Sequence, residues 1–230
     1  MSIFSGHIEE NWFTIQRKQL NFREHMNFES FRREIKSDVF DYQIFASYFK
    51  NIKKSRDKIA SLVKQGKVIR IKKGLYIFGE SWRNTPLCLE TIANLIYGPS
   101  CVSFEHALTH YGLIAERSQV VTSLAIGDSK TFDTPIGRFE YRAISPEKFK
   151  IGIDYQDLGK EGGYFIASKE KALVDLVYRT AGIRSIEQLG HYLFEEMRVD
   201  ETMFRALDFN ALNEIANIYH KQSVKMMNQL

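Results

Sequence analysis

Apolar residues recur at helical spacing from residue 27 onward. Asn27 can cap a helix FESFRREIKS, in which Phe28, Phe31 and Ile35 share one face. Val39 and Phe40 read as a short extended step. Asp41 then caps a second helix, YQIFASYF, whose buried stripe is Ile44, Phe45, Tyr48 and Phe49. After KNIKK, Ser55 reads as the cap of a third helix, RDKIASLVKQ, which stops at Gly66. Ile59, Leu62 and Val63 would face inward, with Lys54, Lys58, Ser61 and Lys64 opposite them and Asp57 in their midst. Past Gly66 the period changes from helical to alternating. Val68, Ile69 and Ile71 run into Lys72-Lys73-Gly74 and then Leu75 to Phe78, a hairpin whose tight turn the glycine permits.

Helix, helix, basic helix and basic-tipped hairpin is the order of a winged helix-turn-helix. The polar segment GESWRNTP (79–86) ends in proline and reads as a boundary. The expected organisation is therefore an extension of undetermined structure over 1–26, a winged helix-turn-helix over 27–80 and a second domain over 86–230.

The second half predicts an α+β domain. Leu89, Ile92, Ala93 and Ile96 mark a helix stopped at Gly98-Pro99, and Ser103 reads as the cap of FEHALTHY. QVVTSLAI (119–126) and RFEYRAI (138–144) read as strands, separated by the turn chemistry of DTPIG. Further strands are expected near 151–155 and at 164–167. Ser168 would cap KEKALVDLVYR, and helices near 185–197, 200–208 and 210–228 would close the chain. The expectation is a small, mostly antiparallel sheet with helices.

Charge changes this picture. Residues 50–73 hold ten Lys or Arg against one acid, whereas the whole chain carries a net charge of only +4. Such concentration is an electrostatic footprint for a polyanion, and the major groove of DNA admits a helix. The candidate DNA contacts are Lys53, Lys54, Ser55, Lys58, Ser61 and Lys64 on the helix, with Lys72 and Lys73 at the hairpin tip. Arg56 lies beside the apolar stripe and is the weaker candidate.

Other chemistry is sparse. His106 and His110 stand four apart with Cys101 before them, but the HExxH order and a second nearby cysteine are lacking, so no metal is assigned. Gly127-Asp128-Ser129 resembles part of a nucleotidyltransferase loop without its paired acids, and a hairpin turn accounts for it. No P-loop, Rossmann fingerprint or nucleophile elbow occurs, so neither a catalytic site nor a cofactor is expected. Asp175 stands out because Leu173, Val174, Leu176, Val177 and Tyr178 surround it. A carboxylate there needs a cation or a backbone donor, and it serves as a buried anchor or as a functional acid. No apolar run reaches the ~20 residues of a membrane span, and the charged first twenty residues offer no signal peptide. With only two cysteines, a cytoplasmic protein is expected.

Three segments in order carry a more specific signal: LVKQGKVIRIKKGLYIF (62–78), CVSFEHALTHYGLI (101–114) and ASKEKALVDLVYR (167–179). Together they resemble the AbiEi-type antitoxins of bacterial abortive-infection (type IV) toxin–antitoxin systems, over about residues 28–180. The resemblance implies an N-terminal domain that binds operator DNA and represses its own operon. It also implies a C-terminal domain that counteracts a nucleotidyltransferase-like toxin without a stable complex. The first 26 residues and the closing helices depart from the pattern. Two other readings stay open. One is a winged-helix regulator whose second domain binds a ligand or partner. The other is an enzyme acting on a toxin or nucleic acid through Asp175 or the histidines.

Overall fold

The computed structural model describes residues 27–49, 52–116, 118–159 and 162–230, with the side chains of residues 52 and 53 excepted. The extension over 1–26 lies outside the described residues. Secondary elements are numbered over the described residues. The fold is α+β, and the chain divides into two compact units between Leu87 and Cys88.

The first unit runs α1 (Phe28–Glu34), β1 (Val39–Asp41), α2 (Tyr42–Tyr48), α3 (Ile52–Lys64), β2 (Val68–Lys72) and β3 (Leu75–Phe78). Two of the three expected caps form. Asn27 Oδ1 accepts from the Ser30 amide, and Asp41 Oδ1 accepts from the Ile44 amide, each at 2.7 Å. The strands make an antiparallel sheet in the order β1-β3-β2. Aromatic rings fill the space beneath it. Phe31 is fully buried, and the rings of Phe40, Phe45 and Tyr48 each lie 5.2 Å from it in edge-to-face arrangements.

α3 stops in a Schellman arrangement. The Gly66 amide donates to Val63 and the Lys67 amide to Leu62, with Gly66 at φ +69°. The chain then returns so closely that the Gly79 amide donates to the Lys67 carbonyl at 2.8 Å. A Cβ on Gly79 would lie 2.0 Å from the Gly66 carbonyl oxygen. The polar segment after β3 is fastened rather than free. Buried Arg32 donates to the Trp82 carbonyl, to Ile35 and to Asp38. Asp38 in turn accepts from the Asn84 and Thr85 amides and from the Thr85 hydroxyl.

The second unit opens with α4 (Leu89–Ile96), β4 (Ser100–Val102) and α5 (Phe104–His110). Then come β5 (Val120–Ala125), β6 (Lys130–Thr134), β7 (Gly137–Ala143), α6 (Pro146–Phe149), β8 (Ile153–Asp157) and β9 (Gly163–Ala167). It closes with α7 (Lys169–Arg179), α8 (Ile186–Gly190) and a π-helical turn (His191–Glu196), followed by α9 (Glu201–Arg205), α10 (Phe209–Tyr219) and α11 (Gln222–Lys225). The sheet order is β6-β7-β5-β4-β9-β8.

This sheet is larger and more mixed than the small, mostly antiparallel one expected. β5 runs parallel to β7, and β4 runs parallel to β9. The reason lies in the hairpin. The chain places β6 on the outer edge and turns there into β7, so β7 comes back beside β5 in the same direction. The turn residues are Pro135 and Ile136, between Thr134 and its partner Gly137. Gly127-Asp128-Ser129 is thus the link from β5 to β6, which do not pair, and not a hairpin turn. The helix expected over 210–228 breaks at His220, which adopts a left-handed conformation with φ +50°. Among the described residues no helix is long and apolar enough to cross a membrane.

Candidate functional site

Helix α3 begins at Ile52, three residues before the expected cap. Ser55 is therefore inside the helix, is fully buried and cannot meet a ligand. It joins Ile59 and Leu62 on the face turned to the core. Opposite them Lys54, Arg56, Asp57, Ala60, Ser61, Lys64 and Gln65 are exposed. Arg56 is thus on the surface and does not flank the core. Lys53 belongs to the first turn, and its side chain lies outside the described residues.

Two cations of the basic run are drawn toward aromatic rings. Lys58 is half-buried, with its Nζ 3.9 Å from the centre of the Phe49 ring. Burial lowers the ammonium pKa of Lys58, against a smaller upward pull from Glu29. Lys67 Nζ lies 5.6 Å from the Phe28 ring and 5.2 Å from Trp82. The charge available to a ligand is accordingly smaller than the run of ten suggests. Lys54, Arg56 and Lys64 on the helix, and Arg70 and Lys73 on the hairpin, are exposed.

The hairpin turns at Lys73-Gly74, with Gly74 at φ +88°, a conformation that costs other residues ~1–2 kcal/mol. Lys73 is exposed at the tip, and Lys72 is half-buried opposite Leu75. One contact on the helix was absent from the sequence reading. Gln65 Nε2 donates to Ser61 Oγ at 2.9 Å, a pairing at i,i+4 that the spacing alone already allowed.

In the second unit, Asp175 sits on α7, a helix buried from Glu170 to Val177. Its cation is Lys171, one turn earlier, with Nζ 3.4 Å from Oδ1. Ser103 donates to Asp175 Oδ2 at 2.7 Å, and Tyr219 donates to Oδ1. Ser103 therefore does not cap α5 with its side chain as expected, since its hydroxyl is turned to the carboxylate instead. Lys171 also donates to the Tyr219 hydroxyl at 2.7 Å and to the Lys148 carbonyl at 2.8 Å. Burial raises the Asp175 carboxyl pKa, and Lys171, Tyr219 and Ser103 oppose that rise. The cluster ties β4–α5, α6, α7 and α10 together with its polar atoms engaged. The Lys171 and Asp175 side chains are fully shielded from solvent.

The histidines are divided. His106 Nε2 is 2.7 Å from Glu90 Oε1, and this bond holds the Glu90 carboxyl at about 2 despite partial burial. His110 packs edge-on against Tyr111 and Tyr164. Cys101 is fully buried, which pushes its thiol up to about 12. Among the described residues no group of three or more His, Cys, Asp or Glu side chains is placed to hold a metal ion.

An open groove of about 800 Å³ runs over the β5–β7 face, lined among others by Glu105, Glu116, Glu140, Arg142, Arg179 and Tyr192. Arg142 is paired there with Glu140 at 2.8 Å.

No protein-family model matches the chain. No curated protein matches it either.

Proposed function

We propose that residues 27–87 form a winged helix-turn-helix that binds duplex DNA, with α3 as the helix in the major groove and the β2–β3 hairpin as the wing. We read the whole chain as a non-enzymic antitoxin of the AbiEi type that represses its own operon. In this reading the second unit counteracts a nucleotidyltransferase-like toxin without a stable complex.

The observation that carries the proposal is the two-sided character of α3. One side is buried in the core, and the other presents Lys54, Arg56, Ser61 and Lys64 to solvent. A hairpin bearing exposed Arg70 and Lys73 follows at once. Cations fixed along a helix of 13 residues match a phosphate backbone, whose neutralisation releases counterions. The pairing of β1 with β3, the second strand of the hairpin and the centre of the three-stranded sheet, supports the same reading.

For the antitoxin assignment, two segments of the resemblance, 101–114 and 167–179, meet at the hydrogen bond from Ser103 to Asp175. The non-enzymic part rests on the enclosure of Asp175, the one acid the sequence singled out.

Titration of the full chain with duplex from upstream of its own coding sequence, over a series of salt concentrations, tests the DNA reading. Binding that weakens linearly in log K against log salt is expected. Binding without salt dependence, or none at all, sinks it. Co-expression with the toxin gene tests the second unit, since growth should be restored with α3 lysines replaced by alanine. A second reading, a winged-helix regulator with a ligand-binding domain, is favoured by the charged groove over β5 and β7.

A further inference from the structure

The exposed face of α3 is not uniformly basic. Asp57, Ser61 and Gln65 follow one another at intervals of four residues, each turned only about 40° from the last. They make a line of hydrogen-bonding side chains along the helix. Lys58 and Lys64 stand three residues to either side of Ser61, about 60° away on opposite flanks. Lys54 leads the line at its N-terminal end.

Gln65 lies just past the last residue of α3 but stays in helical register, because its amide still donates to the Ser61 carbonyl at 3.0 Å. Its carboxamide is held by the Nε2 bond to Ser61 Oγ at 2.9 Å. That bond uses one amide hydrogen and leaves Oε1 and the second hydrogen unengaged by it. An acceptor beside a donor in one plane is the complement of adenine N6 and N7. Asp57 offers only acceptors, which suits the N4 amine of cytosine and repels phosphate.

We infer that Asp57, Ser61 and Gln65 are the base-reading residues of the DNA site, with Gln65 on adenine and Asp57 on cytosine. Lys64, the exposed flanking lysine, holds phosphate. This rests on the DNA reading above. Eight residues of helix span about 12 Å, so the cytosine and the adenine fall within about four base pairs of each other.

The test is selection by the full chain from a pool of randomised duplexes, repeated with Gln65→Ala, Asp57→Asn and Lys64→Ala. The wild-type chain should enrich duplexes with cytosine and adenine at that spacing. Gln65→Ala should erase the adenine preference and lower affinity for the enriched duplex about tenfold. Asp57→Asn should exchange the cytosine preference for adenine, since asparagine offers the paired donor and acceptor. Lys64→Ala should weaken binding to every duplex and reduce the salt slope by ~0.9. If Gln65→Ala and Asp57→Asn enrich the same motif as the wild type, the base-reading line is wrong while the DNA reading stands. If the wild-type chain retains no duplex, the DNA reading falls and takes this inference with it.

Discussion

Lys171 and Asp175 form an ion pair one helical turn apart on α7, 3.4 Å from nitrogen to oxygen, with both side chains wholly shielded from solvent. Ser103, Tyr219 and the Lys148 carbonyl add hydrogen bonds to the pair. Removing one partner strands the other. Asp175→Ala and Lys171→Met should each destabilise the second unit by ~3–5 kcal/mol, as loss of one member of a buried pair does. Replacing both with apolar residues of similar volume should cost less than either single change. Chemical denaturation of the three variants measures this, and strictly additive costs would show that the pair acts as two independent groups.

The bond between Glu90 and His106 sets an acid limit on the second unit. Glu90 titrates at about 2 in the fold, well below its ordinary value of 4.5. Between those values the unfolded chain takes up the proton first, so stability falls as pH drops through that window. Above it the contribution is complete. Melting temperature followed from neutral pH down to about 2 should show this loss, and Glu90→Gln should flatten it. An identical acid limb in the variant would assign the effect to other carboxylates.

The lysines of α3 should not act alike on DNA. Lys64 is exposed, so Lys64→Ala should reduce the dependence of log K on log salt by ~0.9. Lys58 is half-buried with its ammonium over Phe49, so Lys58→Ala should change the salt slope less. It should instead lower thermal stability through lost packing and cation–π attraction of ~0.5–2 kcal/mol. Equal salt slopes for the two variants would contradict the different environments of these lysines.

Asp38 holds the segment after the hairpin in place. Its side chain accepts from Asn84 and Thr85 and pairs with Arg32, whose side chain is 8% exposed. Asp38→Ala should destabilise the first unit by ~3 kcal/mol, because it leaves a buried guanidinium without its counter-charge. It should also speed trypsin cleavage after Arg83. Cleavage there at the wild-type rate would mean that the segment is anchored by its other contacts.

Local patterns were legible where one residue type dictates one geometry. Asn27 and Asp41 cap their helices as read, and Gly66 and Gly74 stop the helix and turn the hairpin. Long-range geometry was not. β4 is three residues long and buried throughout, so it has no alternation to betray it, yet it stands in the middle of the six-stranded sheet. Ser103 resembles a helix cap in sequence, and only the approach of Asp175, 72 residues on, redirects its hydroxyl. Lys171 was visible four residues before Asp175, but nothing local says that a lysine is buried. On α3 the charge run was plain. Ser55 has the look of a cap, yet the helix takes its first turn from Ile52 onward, in a stretch whose pattern reads as a linker.

The closeness of Gly66 and Gly79 bears on how the basic surface would act. The end of α3 is locked to the end of β3 by the Gly79 amide, in a space where no side chain fits. Helix and hairpin are two arms of a single stiff bracket, so a polyanion seized by one arm meets the other at high effective concentration. The ordering cost of bringing the two together is met when the chain folds and does not fall on the binding step.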